Sequence, residues 1–166
     1  LAENLRPHAV GGAQITGIAL PFEEAVQRFP VPVDVLVVGV DNNPCRLACV
    51  KWARRRNIPA VFTMLSQDGM RLHCFLQGPN PKDACLWCAL PNLNPTETAP
   101  CAAGAIISSC LLAGAFTVFF AHRAVMGWPA KVQPFNWREA DLLGAVPERT
   151  AMVERRRQCP VCRNLH

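Results

Sequence analysis

The sequence predicts an open α/β sheet with flanking helices, because two short apolar runs enclose a segment with a helical pattern. Residues 33–40 are apolar without period-two alternation, which is typical of a strand buried on both faces of a parallel sheet. Residues 45–57 place apolar side chains on successive turns and end in a basic run that complements a helix C-terminus. Residues 59–64 form a second β-rich run, so the strand–helix–strand order predicts a right-handed crossover between parallel strands.

The other elements are predicted from shorter patterns. Residues 70–76 alternate well enough to form a strand, antiparallel to the one before it. Residues 102–121 carry no charge and meet the length criterion for a membrane span, but their small residues favour a helix that is buried or lies at a dimer interface. Weaker patterns predict a turn at Gly11-Gly12, short strands at 14–19, 135–137 and 150–154, and a helix at 22–28.

Length and composition predict one domain over residues 1–166 with an apolar surface available for contacts. Apolar residues make up 51% of the chain and charged residues 17%, so part of the surface is expected to be interface. The net charge of +5 is concentrated in two arginine clusters, 54–56 and 155–157, and the chain has no tyrosine. Without aromatic residues between the arginines to stack bases, these clusters favour a helix end or a solvated face over nucleic-acid binding. The positive charge suits an acidic protein partner. Residues 79–100 are rich in Pro and Asn and predict an exposed, crossover-type loop.

Two Cys-x-x-Cys pairs, Cys85 with Cys88 and Cys159 with Cys162, predict a shared structural zinc site. About seventy residues separate the pairs, far more than the roughly 15–20 of a self-contained zinc module, so one ion would join two distant segments. A redox Cys-x-x-Cys and two unrelated pairs of buried thiols are the alternatives. The odd count of nine cysteines and the absence of a signal-peptide pattern disfavour disulfides and favour a reducing cytoplasm.

Asp41 follows the buried strand at residues 33–40, at the carboxyl end where open α/β sheets bind their ligands. A carboxylate in this place can hold a hard cation through oxygen, and the cation can neutralise phosphate charge. The alternative role for Asp41 is a helix N-cap, which Asn42 or Asn43 could equally provide.

Together these motifs resemble the ThiF/MoeB/HesA superfamily, the adenylating enzymes that activate ubiquitin and ubiquitin-like or sulfur-carrier proteins. Asp41-Asn42 with Arg46 on the next helical turn looks like that family's Asp-Asn-x-x-x-Arg turn, and the separated cysteine pairs look like its structural zinc. Residues 100–106 are similar to the family segment in which a Cys is followed shortly by Ala-Gly. The resemblance covers residues 2–162, with three motifs in the family's order.

The resemblance implies a Rossmann-like sheet that binds ATP and Mg²⁺ and converts the carboxylate end of a small carrier protein into an acyl-adenylate. It implies that Asp41 is the magnesium and phosphate-side carboxylate, and that Asn42 and Arg46 lie at the nucleotide. Arg46 could instead only pair with Asp41. Cys101 stands where some sulfur-carrier activators form a covalent link to the carrier, and it would act as a nucleophile if the following helix lowers its pKa. The alternative for Cys101 is a small buried cysteine, which is the common case.

The nucleotide-binding half of the family pattern is missing, because no Gly-x-Gly-x-x-Gly turn is present and Gly11-Gly12 has the wrong spacing. We expect either a fragment of a complete enzyme, inactive by itself, or a homologue without ATP chemistry that serves as a zinc-linked partner or scaffold subunit. A homodimer or heterodimer through the helix at 102–121 is a further expectation. A membrane-associated metal protein built around that helix is the weaker alternative, and the prediction is a protein without a membrane partner.

Overall fold

The computed structural model describes residues 2–30, 32–66, 68–98, 106–144 and 147–163. Contacts divide the chain into two units, Leu1–Pro32 and Val33–His166.

The smaller unit contains two short helices and a glycine turn. Helix α1 spans Ala2–Leu5 and continues into a 3₁₀ turn at Arg6–His8, and helix α2 spans Phe22–Arg28 as predicted. Gly11 and Gly12 have φ values of 62° and 75°, a left-handed conformation that glycine adopts without a steric penalty. Residues 14–19 are not in a strand, so the strand predicted there is wrong.

The larger unit is built on a five-stranded mixed sheet whose strands follow one another in chain order. The strands are β1 Leu36–Val38, β2 Ala60–Leu65, β3 Arg71–Gln77, β4 Trp137–Asp141 and β5 Arg149–Ala151. Strands β1 and β2 are parallel, and every later neighbouring pair is antiparallel. The prediction of a mixed α/β sheet, with a parallel first pair and an antiparallel third strand, is confirmed.

Four helices accompany this sheet: α3 Asn43–Arg55, α4 Leu86–Ala89, α5 Ile107–Met126 and α6 Pro160–Arg163. Helix α3 is the predicted connection between β1 and β2 and packs on both strands. Gln77 of β3 donates a hydrogen bond to the Val50 carbonyl of α3, so α3 lies on the sheet face that carries Phe75 and Gln77. Helix α5 packs against β2 and β3 on the opposite face.

The core between α5 and the sheet consists of buried residues from β2, β3, β4 and α5, namely Val61, Leu72, Cys74, Phe116, Phe120 and Ala140. Alternation along β2 and β3 turns these strand residues toward the helix, which fixes the register of the sheet. Thr63 of β2 also forms a hydrogen bond with Thr117 of α5, which fixes the helix along the strand.

Only one face of α5 is buried. Phe116 and Phe120 contact the sheet, whereas Leu111 and Val118 on the outer face are each 69% exposed. The prediction of a buried helix is therefore correct for the inner face alone. By length and composition, Ile107–Met126 is the one helix in the described part of the chain that could cross a membrane, a test that core helices of soluble proteins also pass.

We expect Phe120→Ala to lower the free energy of unfolding of the chain by about 3–5 kcal/mol, because the fully buried ring leaves a cavity that the sheet cannot close. Denaturant unfolding followed by circular dichroism measures this loss. Val118→Ala is the control on the exposed face of the same helix, with an expected change within about 0.5 kcal/mol. Equal losses in the two variants would contradict the described packing of α5.

Burial raises the pKa of the Cys74 thiol to about 11, although a hydrogen bond with Thr63 acts in the opposite direction. At pH 8 about one thiol in a thousand would then be ionised, so Cys74 is expected to resist alkylation by iodoacetamide in the folded protein. Cys110 is exposed on α5 and should be labelled under the same conditions. Peptide mapping by mass spectrometry compares the two sites, and labelling of Cys74 at the rate of Cys110 would contradict the burial.

Candidate metal centre and Asp41 turn

The four cysteines of the two Cys-x-x-Cys pairs lie together in the larger unit. Cys85 and Cys159 each stand immediately before a four-residue helix, and Cys88 and Cys162 lie within those helices. Within the first pair, the Cys88 N–H donates to the Cys85 carbonyl over 2.8 Å, which closes the tight turn that this spacing predicts. All four side chains are buried.

The spacing of the sulfurs fits a tetrahedral ion. The Sγ–Sγ distances are 3.8 Å between Cys85 and Cys88, 3.5 Å between Cys85 and Cys159, and 3.6 Å between Cys88 and Cys162. An ion bound to four sulfurs at about 2.3 Å requires sulfur–sulfur edges of about 3.8 Å. All four sulfur atoms lie within 4.8 Å of one another, so the group could hold one metal ion without rearrangement of the chain.

Cys88 is the thiol of this group whose surroundings favour ionisation, whereas hydrogen bonds with Cys162 and Cys88 raise the pKa of Cys85. Hydrogen bonds from the Cys162 and Cys85 thiols lower the pKa of Cys88 below its ordinary value, although desolvation opposes this shift. The backbone N–H of Arg156 donates to Cys88 Sγ over 3.4 Å and also lowers that pKa. A thiolate is the form of cysteine that binds metal.

Arg54 supports the segment that leads to Cys85. It lies in the last turn of α3, is only 6% exposed, and donates hydrogen bonds to the backbone carbonyls of Gly78, Asn80, Asp83 and Ala84. Of the two positions predicted for this arginine cluster, Arg54 is at a helix end, as predicted, but it is not on a solvated face. The available signal was its spacing of four residues from Val50, which puts both residues on the buried face of α3.

Arg155 links the two halves of the metal centre. Its guanidinium donates to the carbonyl of Pro81 over 2.9 Å and to the carbonyl of Cys162 over 3.1 Å. The segment before the first cysteine pair is therefore tied to the second pair by a side chain from the second arginine cluster. The predicted solvated role of this cluster does not hold for Arg155.

The segment predicted as an exposed loop at residues 79–100 has a buried middle. Residues 84–88 are buried and include the start of α4. Trp87 donates a hydrogen bond from Nε1 to the carbonyl of Leu93 over 2.8 Å, and Asn43 Nδ2 donates to the carbonyl of Asn94 over 2.8 Å. The chain after α4 therefore runs back to the first turn of α3.

The Asp41 turn lies at the other end of α3, immediately after β1. Asn42 is the N-cap, and its Oδ1 accepts a hydrogen bond from the Cys45 N–H over 2.8 Å. The capping role therefore belongs to Asn42, and the Asp41 carboxylate is exposed to solvent. The structure brings Asp41 and Asn42 together at the carboxyl end of β1, and Cys101 lies outside the described residues.

Arg46 lies on the first turns of α3 beside Asp41. Its Nη1 donates to Asn43 Oδ1 over 2.7 Å, and its buried Nε has no hydrogen-bond partner among the described residues. Desolvation lowers the pKa of Arg46, and the negative charge of Asp41 opposes that shift. Arg46 is thus a partly buried cation with an unused donor near an exposed carboxylate.

The Asp41 turn lies at the N-terminal end of α3, and Arg54, which holds the segment before Cys85, lies at its C-terminal end. A helix of 13 residues is about 20 Å long, with Asn42 before its first residue and Arg54 in its last turn. The support for the first cysteine pair and the Asp41 turn therefore lie at opposite ends of the same helix.

No family model matches the sequence, and no curated protein matches it. Solved structures match it in fold. With E. coli MccB in complex with MccA-N7isoASN, the TM-score is 0.64 at 14% sequence identity, over 91% of this chain and 46% of that chain. With E. coli MccB in complex with ATP, the TM-score is 0.61 at 17% identity, over 98% of this chain and 49% of that chain.

A third match is the microcin C7 biosynthetic enzyme MccB in complex with N-formylated MccA. Its TM-score is 0.60 at 16% identity, over 96% of this chain and 49% of that chain. The chain therefore spans about half the length of these MccB structures. At these identities the similarity establishes a shared fold.

Proposed function

We propose that this chain forms part of an ATP-dependent activating enzyme that adenylates the C-terminal carboxylate of a small carrier protein or peptide. The observation that carries the proposal is the Asp41 turn at the carboxyl end of β1, in a fold shared with MccB structures. One of those structures holds ATP and others hold MccA, which supports a nucleotide and a peptide or carrier protein as the two substrates.

In this reaction a carboxylate oxygen of the carrier attacks the α-phosphorus of ATP. The new phosphorus–oxygen bond forms as the bond to pyrophosphate breaks, which leaves an acyl-adenylate and free pyrophosphate. Bound Mg²⁺ would offset the negative charge of the phosphates. The Asp41 carboxylate would hold that cation through oxygen, and the positive charge of the Arg46 guanidinium would attract the phosphate oxygens.

Asn42 has a narrower role in this proposal. Its Oδ1 is already occupied by the Cys45 N–H, so only its amide nitrogen is available as a donor to the nucleotide. The cap also fixes the first turn of α3 and with it the position of Arg46. Asn42 would therefore act on the ligand mainly by holding the turn in place.

We further propose that the ion held by Cys85, Cys88, Cys159 and Cys162 is zinc. Four thiolates in a closed tetrahedral shell are the donor set of structural zinc sites, which leave no position open for a substrate. The burial of all four sulfurs supports this assignment, since a redox pair must be accessible to its partner thiol. The ion would join the connection after β3 to the chain after β5.

A non-catalytic role as a metal-linked partner subunit is the second candidate function. The observation that favours it is the lack of a Gly-x-Gly-x-x-Gly turn in this sequence, because that turn supplies the backbone amides that bind phosphate. This candidate retains the fold and the zinc ion and requires no ATP. The exposed apolar face of α5 offers it a surface for a partner.

Native mass spectrometry with metal analysis should find one zinc ion per chain, because the four sulfurs form one tetrahedral shell. Cys85→Ser and Cys159→Ser should each lose the ion, since both pairs contribute to the same site. Cys110→Ser is the matched control, as this cysteine is exposed on α5 and outside the group. Zinc retained after loss of either pair would contradict the shared site.

Asp41→Asn should reduce ATP–pyrophosphate exchange by on the order of 100-fold in the protein that carries this chain, because the carboxylate that holds the cation is lost. The assay uses radiolabelled pyrophosphate with a sulfur-carrier protein or a short peptide that has a free C-terminal carboxylate. A peptide with an amidated C-terminus should give no exchange.

Asp34→Asn is the matched control, because Asp34 is an exposed carboxylate on the segment before β1. If Asp41→Asn catalysed ATP–pyrophosphate exchange as fast as Asp34→Asn, the proposed role of Asp41 in holding the cation would be refuted. If the wild-type protein binds zinc but catalyses no exchange with either class of carrier, the partner-subunit function is favoured.

A further inference from the structure

The Arg54 guanidinium is a buried cation whose hydrogen-bond partners are backbone carbonyls. Its Nη1 donates to the carbonyls of Gly78 and Asn80, and its Nη2 donates to those of Asp83 and Ala84 over 2.6 Å and 2.8 Å. A buried guanidinium is costly unless hydrogen bonds replace the water it loses. The planar fork of arginine meets this need with four carbonyls at once, which lysine cannot do.

These hydrogen bonds determine the shape of the segment at residues 78–84. Its four carbonyl dipoles converge on one point, an arrangement that is repulsive unless a cation lies there. The Asp83 carboxylate strengthens the same turn, because its Oδ2 accepts a hydrogen bond from the Asn80 N–H over 3.0 Å. The next residue along the chain is Cys85, so the turn directly sets the position of the first sulfur.

The charge of Arg54 also suits the centre beside it. Four thiolates around a divalent ion carry a net negative charge, which would attract the guanidinium. Desolvation lowers the pKa of Arg54, and the negative charge of nearby groups, Cys162 first among them, opposes that shift. The hydrogen bonds of Arg54 within the described residues go to backbone carbonyls and not to a sulfur. Its effect on the metal is therefore exerted through the backbone of the segment that it holds and through its charge.

We propose that Arg54 is a positioning residue of the metal centre, which holds the first Cys-x-x-Cys turn in its metal-binding conformation and slows release of the ion. This inference rests on the proposed zinc site. It adds to that site a residue from α3, the helix whose other end carries the Asp41 turn.

The test is the rate at which zinc-loaded protein loses its ion to excess EDTA, measured well below the unfolding temperature. Arg54→Lys and Arg54→Met should release zinc on the order of 10-fold faster than wild type, because loss of a supporting hydrogen-bond shell weakens metal binding by about 10–100-fold. Arg55→Lys and Arg55→Met are the matched controls, since Arg55 is the exposed neighbour on the same turn. They should release zinc at the wild-type rate.

Two further variants separate positioning from general stability. Phe120→Leu destabilises the core on the opposite face of the sheet and should leave zinc release unchanged. Asp83→Ala removes the carboxylate that supports the turn and should accelerate release by a smaller factor than Arg54→Lys, so it decides the question if the Arg54 variants fail to fold. Absorption spectra of the Co²⁺-loaded proteins report whether four-sulfur coordination is altered.

Release at the wild-type rate in Arg54→Lys and in Asp83→Ala would overturn the positioning role while the zinc site stands. The positioning role would also be overturned if the Arg54 variants released zinc no faster than Phe120→Leu does. The effect of the Arg54 substitutions would then reflect the stability of the protein alone. The metal site itself would be refuted if the wild-type protein bound no zinc. It would also be refuted if the Cys159→Ser variant kept its zinc. The two failures are therefore distinguishable.

Discussion

The larger unit depends on the meeting of two cysteine pairs that are far apart in sequence. Cys85 and Cys159 are 74 residues apart, yet their sulfurs lie 3.5 Å from each other. This contact joins the chain after β3 to the chain after β5, so it encloses α5 and the last two strands between its ends. Closing so long a loop lowers chain entropy, and a shared ion would offset part of that cost. The short helices at both pairs supply the turns that direct the sulfurs inward.

Helix α3 connects this centre to the candidate ligand site. Its C-terminal turn holds the approach to Cys85 through Arg54, and its first turn carries the Asn42 cap and Arg46. The chain after α4 returns to the same first turn, where Asn43 binds the carbonyl of Asn94. The metal-binding segment is therefore attached to α3 at both ends. Because α3 is rigid, an ion held by the four cysteines would help to fix the Asp41 turn at the far end of the helix. The ion would not need to contact the ligand bound at that turn.

The two sheet faces serve different purposes in this arrangement. The face under α5 is apolar and tightly packed, with aromatic rings from the helix against β2 and β3. The face under α3 contains the buried Gln77 and leads to the metal-binding segment. The outer side of α5 remains apolar and exposed, which agrees with the apolar composition of the chain and with a surface suited to a partner. Both faces of the sheet are buried, because Phe62 and Phe75 on the α3 side have no exposed surface. The metal-binding segment is held from that side by Arg54.

Local patterns in the sequence were sufficient to predict the strand–helix–strand unit and the antiparallel third strand. They also predicted that the two Cys-x-x-Cys pairs meet at one site. These features depend on periodicity and on spacings within a few residues, which a sequence displays directly. The position of Arg54 four residues after Val50 indicated the buried face of α3, but the tertiary structure alone decided which groups the guanidinium binds. The partners of Arg54 lie 24 to 30 residues further along the chain, and only folding brings their carbonyls to it. The choice of Asn42 over Asp41 as the cap was likewise settled by backbone geometry, since both residue types are good caps and one of them had to face solvent.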